Sequence, residues 1–238
     1  MRWDNSSAFG ANVNKVVYPK YGLSYVVSDE DFWKNSGLLN HINSFRFRAA
    51  YGEAGKAPGT YDALRTFSPF SGPGDSPAVT PLSIGNPNLG PERGKEYELS
   101  FDAGPWNDRL TYELTHYHKQ TVDAILFQQL APSIGFSGTE PFNAGSILNT
   151  GWESALRFNA YSSANLNWDL AVNYATNQND VQSLIGGASY VTAGTNLRHA
   201  VGYPAFGWWS YRLESAQVDT TGHGIPSTMQ CDNGKGGT

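Results

Sequence analysis

The stretch 85-GNPNLGPERGKEYELSFDAG-104 decides the fold. It opens with Asn-Pro and Gly-Pro turn signals and closes on another Gly. Between them Glu96, Glu98, Ser100 and Asp102 alternate with Tyr97, Leu99, Phe101 and Ala103. Strict alternation of this length is a β-strand with one polar and one apolar face. Acids at every second position face either bulk water or water held inside something.

The pattern recurs. After a stub at residues 1 to 4, strand-like segments lie at 16–27, 44–52, 94–103, 109–120, 151–161, 168–177 and 205–215. In 44–52, Phe45, Phe47 and Ala49 oppose Arg46, Arg48 and Ala50; in 168–177, Trp168, Leu170, Val172 and Tyr174 oppose Asp169, Asn173 and Asn177. Segment 205–215, FGWWSYRLESA, is aromatic but alternates less cleanly. Each strand is about ten residues. At about 3.3 Å per residue and a tilt near 45°, it spans roughly 25 Å, the height of an outer-membrane apolar band.

The connections alternate in length. GPWND (104–108) and SSANLN (162–167) are tight turns; 53–93, 122–148 and 178–204 are long and rich in Gly, Pro and Ser. Short periplasmic turns against long extracellular loops are the habit of an outer-membrane β-barrel. SDEDFWKNSGLLNHIN (28–43) falls on the short side, where Ser28 as N-cap with Asp31 three residues on suggests a small helix. Trp106 and Trp168 sit beside short turns, and Trp152, Trp208 and Trp209 beside long loops. Two aromatic belts at two heights resemble interfacial girdles. The pattern also admits a soluble, secreted all-β domain with core aromatics, using aromatic platforms to hold a glycan. On the barrel reading Tyr97, Leu99, Phe101 and Ala103 face lipid, and Glu96, Glu98, Ser100 and Asp102 face a wet lumen.

Composition narrows the rest. The chain has 238 residues, 16% of them charged and 13% aromatic, with a net charge of -5. No basic stripe appears, which argues against nucleic acid. The single cysteine, Cys231, makes neither an internal disulfide nor a multi-cysteine zinc site. No apolar run reaches transmembrane-helix length, and a β-barrel needs none.

No side chain is assigned a catalytic, cofactor, metal or substrate role. His116 and His118 share a strand face and could bind a metal if a third ligand converged; they read rather as two histidines near an interfacial strand end. Asp29, Glu30 and Asp31 read as a solvated helix start. Glu96 and Glu98 share a face but read as wall residues rather than a glycosidase pair, which needs carboxyls across a cleft. No nucleophile elbow, Walker loop or dinucleotide fingerprint occurs. Tyr61, Phe67, Phe70, Phe136, Phe142 and Tyr190 fall in the long loops, where recognition usually resides.

Several stretches together resemble one family. RWDNSSAFGANVNKVVYPKYGLSYVVSDEDFW (2–33) is similar to a barrel segment of TonB-dependent receptors of the SusC/RagA type, matching or closely substituting at Asp4, Asn5, Ser6, Ser7, Phe9, Gly10, Tyr18, Pro19, Ser28 and Phe32. FRFRAAYGEAGKAPGTYDAL (45–64) resembles the family's Leu-Arg-x-Ser-Tyr-Gly-x-x-Gly segment. The opening stretch resembles its Asn-Pro-Asn-Leu-Lys-Pro-Glu motif, with Gly90 where Lys is usual. NTGWESALRF (149–158) resembles Asn-x-Gly-x-Glu. VGYPAFGWWSYRLES (201–215) resembles Gly-x-Pro-x-x-x-x-x-Gly-Tyr, with Ser210 for the Gly.

The resemblance implies an all-β fold, an antiparallel transmembrane β-barrel of which this chain supplies about seven strands plus a stub out of roughly 22. It implies an outer-membrane importer of a nutrient (glycan, peptide or chelate) with no enzymatic activity and no cofactor. The implied partners are the TonB complex, a surface SusD-like lipoprotein and outer-membrane lipid. Residues 1–238 are then expected to be a partial barrel from the C-terminal third, without the plug domain, the TonB-binding segment or the final strands. A piece with two open edges is expected neither to insert nor to transport alone. For residues 216–238, strand parity indicates the periplasmic side, whereas length and Gly content suit a loop.

Overall fold

A computed structural model describes residues 1–37, 39–136, 138–218 and 226–232. Its strands are β1 (Arg2–Asp4), β2 (Val16–Tyr18), β3 (Lys20–Val26), β4 (Ile42–Lys56), β5 (Thr66–Ser71), β6 (Pro77–Ser83), β7 (Glu92–Pro105), β8 (Leu110–Gln129), β9 (Thr139–Ser162), β10 (Asn167–Leu184), β11 (Tyr190–Thr192), β12 (Leu197–Ala200), β13 (Gly207–Trp208), β14 (Leu213–Val218) and β15 (Pro226–Cys231). Among the described residues the one α-helix is the single turn α1 (Asp31–Lys34).

Six strands form one antiparallel sheet in the order β10-β9-β8-β7-β4-β3. Neighbours in sequence are neighbours in space, apart from the β5–β6 hairpin inserted between β4 and β7. Six of the seven expected segments therefore build the wall. The seventh does not join it: within 205–215 only Gly207–Trp208 is paired before Leu213, and it pairs with β12. Segment 16–27 breaks at Pro19, with β2 pairing β1 and β3 pairing β4. Proline has no N–H to give a ladder, so the break falls there.

The wall strands are much longer than ten residues. β8 has 20, β9 has 24 and β10 has 18. At about 3.3 Å per residue β9 extends to about 80 Å along its length, more than twice what a membrane band needs. The surplus is all at one end. Most of the expected loop 122–148 is ladder, because β8 and β9 stay paired up to Gln129↔Thr139. Bulges near Thr121/Ala124 and Ala124/Ile125 interrupt the alternation, which is why this part reads as loop.

At the other end the turns are short. Trp106, Asn107 and Asp108 all take positive φ, 56°, 56° and 59°, and close β7 onto β8. The Asn107 N–H donates to Asn43 Oδ1 at 2.7 Å. In the 28–43 connection the expected helix is present but its cap differs. Glu30 occupies the N-cap without a side-chain cap bond, and Ser28 is buried in a preceding 3-10 turn. Trp33 of α1 is buried, donates from Nε1 to the Ile42 carbonyl at 3.1 Å and stacks on Phe45 at 5.0 Å.

Beyond the wall, β14 and β15 form a separate hairpin. Residues 219–225 and 233–238, part of the unclear segment 216–238, lie outside the described residues.

Candidate transport wall and outer head

Register sorts every wall side chain to one of two faces. Directly paired residues of antiparallel strands share a face. One row reads Tyr25, Phe47, Phe101, Leu114, Ser154, Tyr174; the next reads Leu23, Ala49, Leu99, His116, Trp152, Thr176. Above them come Tyr21, Tyr51, Tyr97, His118, Thr150 and Gln178. Below them lie Phe45, Ala103, Tyr112, Leu156 and Val172, then Trp168 with Tyr161. This face is apolar yet open. Leu23, Leu99, Trp152, Leu170, Val172 and Tyr174 are 43–64% exposed.

A soluble sandwich would bury one face of such a sheet. Among the described residues no layer covers either face of this band: the buried apolar side chains are Trp33 at the turn end, Ala63, and a set in the outer part, including Phe9, Tyr18, Leu89, Leu126 and Val181. An exposed apolar patch across six strands is what a lipid-facing surface looks like. Its upper rim is aromatic: Tyr21 stacks on Tyr51 at 6.4 Å, Tyr97 on His118 at 4.6 Å, and His116 meets Trp152 at 4.4 Å. One row further out the same face turns polar, with Glu53, Lys95 and Gln120 paired across. The band therefore ends within one row, and the two histidines sit in its rim. No group of three His, Cys, Asp or Glu able to hold a metal occurs among the described residues. Trp208 and Trp209, expected in the belt, lie instead in and just after β13, in the small β11-β12-β13 sheet rather than in the wall.

The opposite face answers the question posed by the acids. Asp102 bridges two arginines of β4, Arg46 at 2.6 Å and Arg48 at 2.7 Å, and Arg48 also pairs with Glu113 of β8. Glu96 pairs with Lys119 at 3.4 Å. Thr115 donates to Ser100 at 3.0 Å and Tyr117 to Asn177 at 2.9 Å. Glu96 and Glu98 share this face as expected, and Glu96 is occupied by its lysine. These pairs are part-exposed, so each contributes only about 0–1 kcal/mol. Their weight lies in placement: charges lie on this face, and the opposite face of the band carries none. Asp29 ends the 3-10 turn before α1, Glu30 is its N-cap and Asp31 its first residue, and Glu30 accepts a hydrogen bond from Tyr25 at 2.7 Å.

Where the strands outrun the apolar band, loops cover both faces of the β8–β9 hairpin. On the outer side lies the Asn-Pro-Asn-Leu turn. Gly85 (φ +70°) starts it, and Leu89 is fully buried. The Gly10 N–H donates to the Leu89 carbonyl at 2.8 Å and Asn12 N–H to Pro87 O at 3.1 Å. A Cβ on Gly10 would stand 2.2 Å from the Pro87 oxygen, so only glycine fits. Asn143 of β9 completes the joint: its Oδ1 accepts from Gly90 N–H at 2.7 Å, and its Nδ2 donates to Gly90 O and Asp123 O, each at 2.9 Å. Two stretches of the family resemblance thus meet at one junction.

On the inner side, Thr121, Ile147 and Val181 continue the polar face's parity and turn it apolar. Leu126, Ala144, Val181 and Leu184 form a core, with Phe142, Val191 and Ala205 packed on it. Residues 185–206 supply its cover. Arg198 lies over the rings of Tyr190 at 4.7 Å and Trp209 at 5.9 Å. His199 is 4% exposed, meets Phe206 edge-on at 4.3 Å, and its Nδ1 has no hydrogen-bond partner among the described residues. Burial holds its pKa below the ordinary 6.5. Sequence reasoning missed this residue, since a lone histidine between Arg and Ala carries no local signal.

The loop aromatics divide. Phe142 packs on the inner core and Phe136 folds over Gly138. Tyr61, Phe67, Phe70 and Tyr190 are at least half exposed. Phe67 and Phe70 stand on the β5–β6 hairpin.

The family model described as "TonB dependent receptor-like, beta-barrel" matches residues 1–226. TonB-dependent receptor P39 of Formosa agariphila is 27% identical over 91% of this chain, which covers 21% of that protein. TonB-dependent receptor SusC of Bacteroides thetaiotaomicron is 25% identical over 94% of this chain and 25% of its own length. A chain of the RagAB peptide importer in its closed-closed state superposes with a TM-score of 0.80 at 22% identity, covering 97% of this chain and 26% of that one. The chain thus spans about a fifth to a quarter of the relatives it matches. With a membrane-height apolar band outside, an ion-paired face inside and one family model across nearly its whole length, the chain belongs to the TonB-dependent receptor-like β-barrel family.

Proposed function

We propose that this chain is part of the wall and outer mouth of an outer-membrane transporter that imports a nutrient into the periplasm. The carrying observation is the two-faced six-stranded sheet, apolar and open on one side, ion-paired on the other. Residues 1–238 then form a partial barrel domain, and the plug domain and remaining strands belong to the rest of the receptor. Energy reaches it through the TonB complex, and a SusD-like surface lipoprotein closes over its mouth. The location is the outer membrane of a Gram-negative-type bacterium. The role is transport rather than catalysis. The cargo is a glycan, a peptide or a chelate.

Cysteine labelling of the full-length receptor in cells tests the topology. Leu99→Cys should react with a membrane-soluble reagent and resist a water-soluble maleimide, while Glu98→Cys reacts with the maleimide once the lumen is reached. Import is tested by deleting the receptor gene or TonB. Both deletions should abolish energy-dependent uptake of the same nutrient, and uptake that survives the loss of TonB would refute the reading. The soluble glycan-binding alternative gains no support from an apolar band that no dry core covers among the described residues.

A further inference from the structure

Between the outer end of β8 and the β11–β12 hairpin lies a cavity of about 550 Å³. Pockets of roughly 300–1,000 Å³ hold drug-sized ligands. Its walls include Ile125, Leu126, Phe127, Val191, His199 and Phe206. No carboxylate, lysine or arginine lines it among the described residues. The cavity borders the inner core: Leu126 has the parity of Ala124, which pairs Gly145 in step with the Thr121–Ile147–Val181 row, and Val191 packs on that core, while Ile125, Phe127 and Gln129, of the other parity, line its edge along β8. It lies beyond the apolar band, beside the inner core, and so at the mouth of the barrel rather than in the lipid. One feature of its wall is unlike a packing defect: the buried His199 ring, with an unpartnered nitrogen, stands among apolar side chains.

We propose that this cavity receives one apolar side chain, aliphatic or aromatic, of a peptide-like cargo. This rests on the reading of the chain as the mouth of an importer and adds a cargo chemistry to it. A saccharide needs hydrogen-bond partners for several hydroxyls on every face of its ring, and a mainly apolar cavity whose polar side chains are Gln129, Thr139, Thr192 and His199 leaves part of them unpaired, which is costly. A hydrocarbon side chain has no hydrogen bonds to lose there and gains by its burial, less the rotamer entropy of being held. The neutral imidazole of His199 and the Thr139 and Thr192 hydroxyls then serve the one or two peptide-bond groups that enter with it.

The test uses the purified full-length receptor and two tetrapeptides, Ala-Phe-Ala-Ala and Ala-Ser-Ala-Ala, titrated by calorimetry. The Phe peptide should bind at least about tenfold more tightly. Gly194 and Ala193 also line the cavity. A Cβ on Gly194 would meet only Leu197, at an ordinary 3.7 Å, so Gly194→Leu fills space without forcing the backbone. It should bring the two affinities to within about twofold by taking the volume the ring would occupy. Ala193→Phe is the second filling variant, and whichever keeps a heat-modifiable barrel is scored. Equal affinity in the natural receptor, or a preference that survives filling, overturns the proposal. A receptor that ignores both peptides while cells show TonB-dependent uptake of a saccharide also overturns it and leaves the import reading standing. Peptide preference on the purified receptor without any TonB-dependent uptake supports the pocket and strikes the import reading alone.

Discussion

Phe101→Lys and Glu98→Lys place the same charge on the same strand, three residues apart, on opposite faces. Phe101 lies in the middle rows of the apolar band and meets Phe45 and Tyr112, each at 5.9 Å between ring centroids. A lysine near the bilayer midplane costs about 2–4 kcal/mol in a barrel. Losing two aromatic pairs adds about 0.5–1.5 kcal/mol each. Together the substitution should cost roughly 3–7 kcal/mol. Glu98 stands on the ion-paired face with no salt bridge to a described residue. Reversing its charge should change stability by no more than about 1 kcal/mol. The measurement is equilibrium urea unfolding of the full-length receptor in lipid vesicles, with gel-shift readout of the folded fraction. Similar costs at the two positions, or a larger one at Glu98, would sink the assignment of faces and with it the barrel reading of this sheet.

Three further outcomes follow from the outer head. Gly10→Ala drives a methyl into the Pro87 carbonyl and should destabilise the junction by about 1–3 kcal/mol, seen as faster amide exchange at Leu89 and Gly10; unchanged protection would contradict it. Asn143→Ala orphans the Gly90 N–H and two carbonyls, at about 1–3 kcal/mol for each group that stays dry; Asn143→Asp, which keeps the acceptor and loses the donors, should fall between. His199 gives the inner cover a pH dependence. Its folded pKa lies below the ordinary 6.5, so the unfolded cover binds the extra proton. That contribution to stability is complete above about pH 6.5 and declines as pH falls from there toward the folded value. Protection factors at Val191 and Ala200 should be lower at pH 5 than at pH 7.5, and equal values would show that His199 does not titrate with opening.

The wall was legible because its alternation is local. Residues 94–103 state their two faces without reference to any other part of the chain, and the turn residues at 104–108 end the strand on cue. The head was not legible in the same way. Pro132, Gly135, Gly138 and Pro141 read as loop, while backbone pairing across the hairpin carries the ladder up to Gln129. The bulges after Thr121 shift the period just where alternation would have been followed. Segment 205–215 looks like a strand by its aromatics, yet Phe206 takes a positive φ of 57° and only Gly207–Trp208 joins a ladder before Leu213. The Asn-Pro-Asn-Leu turn reads as a surface turn. Its Asn86 and Leu89 are buried because residues 10 and 143, each more than fifty positions away, close over it, and no local rule carries that information. His199 belongs to the same class: its isolation is a product of packing.

The free edge of β10 carries a consequence for how the wall continues. Val181 is already engaged there: its N–H donates to Tyr203 O and its carbonyl accepts from Gly202 N–H, each at 2.9 Å. By the alternation of an antiparallel ladder, Asn179, Asn177, Ala175 and Asn173 present their groups in the same direction. A next strand can zip along β10 from the turn end only as far as Asn179, where the chain's own loop stops it. β9, on the far side of β10, runs on to Thr139. The rim of the wall therefore steps down at this seam, and the height of the step is set by one bridge between Val181 and Val201 rather than by the length of any strand.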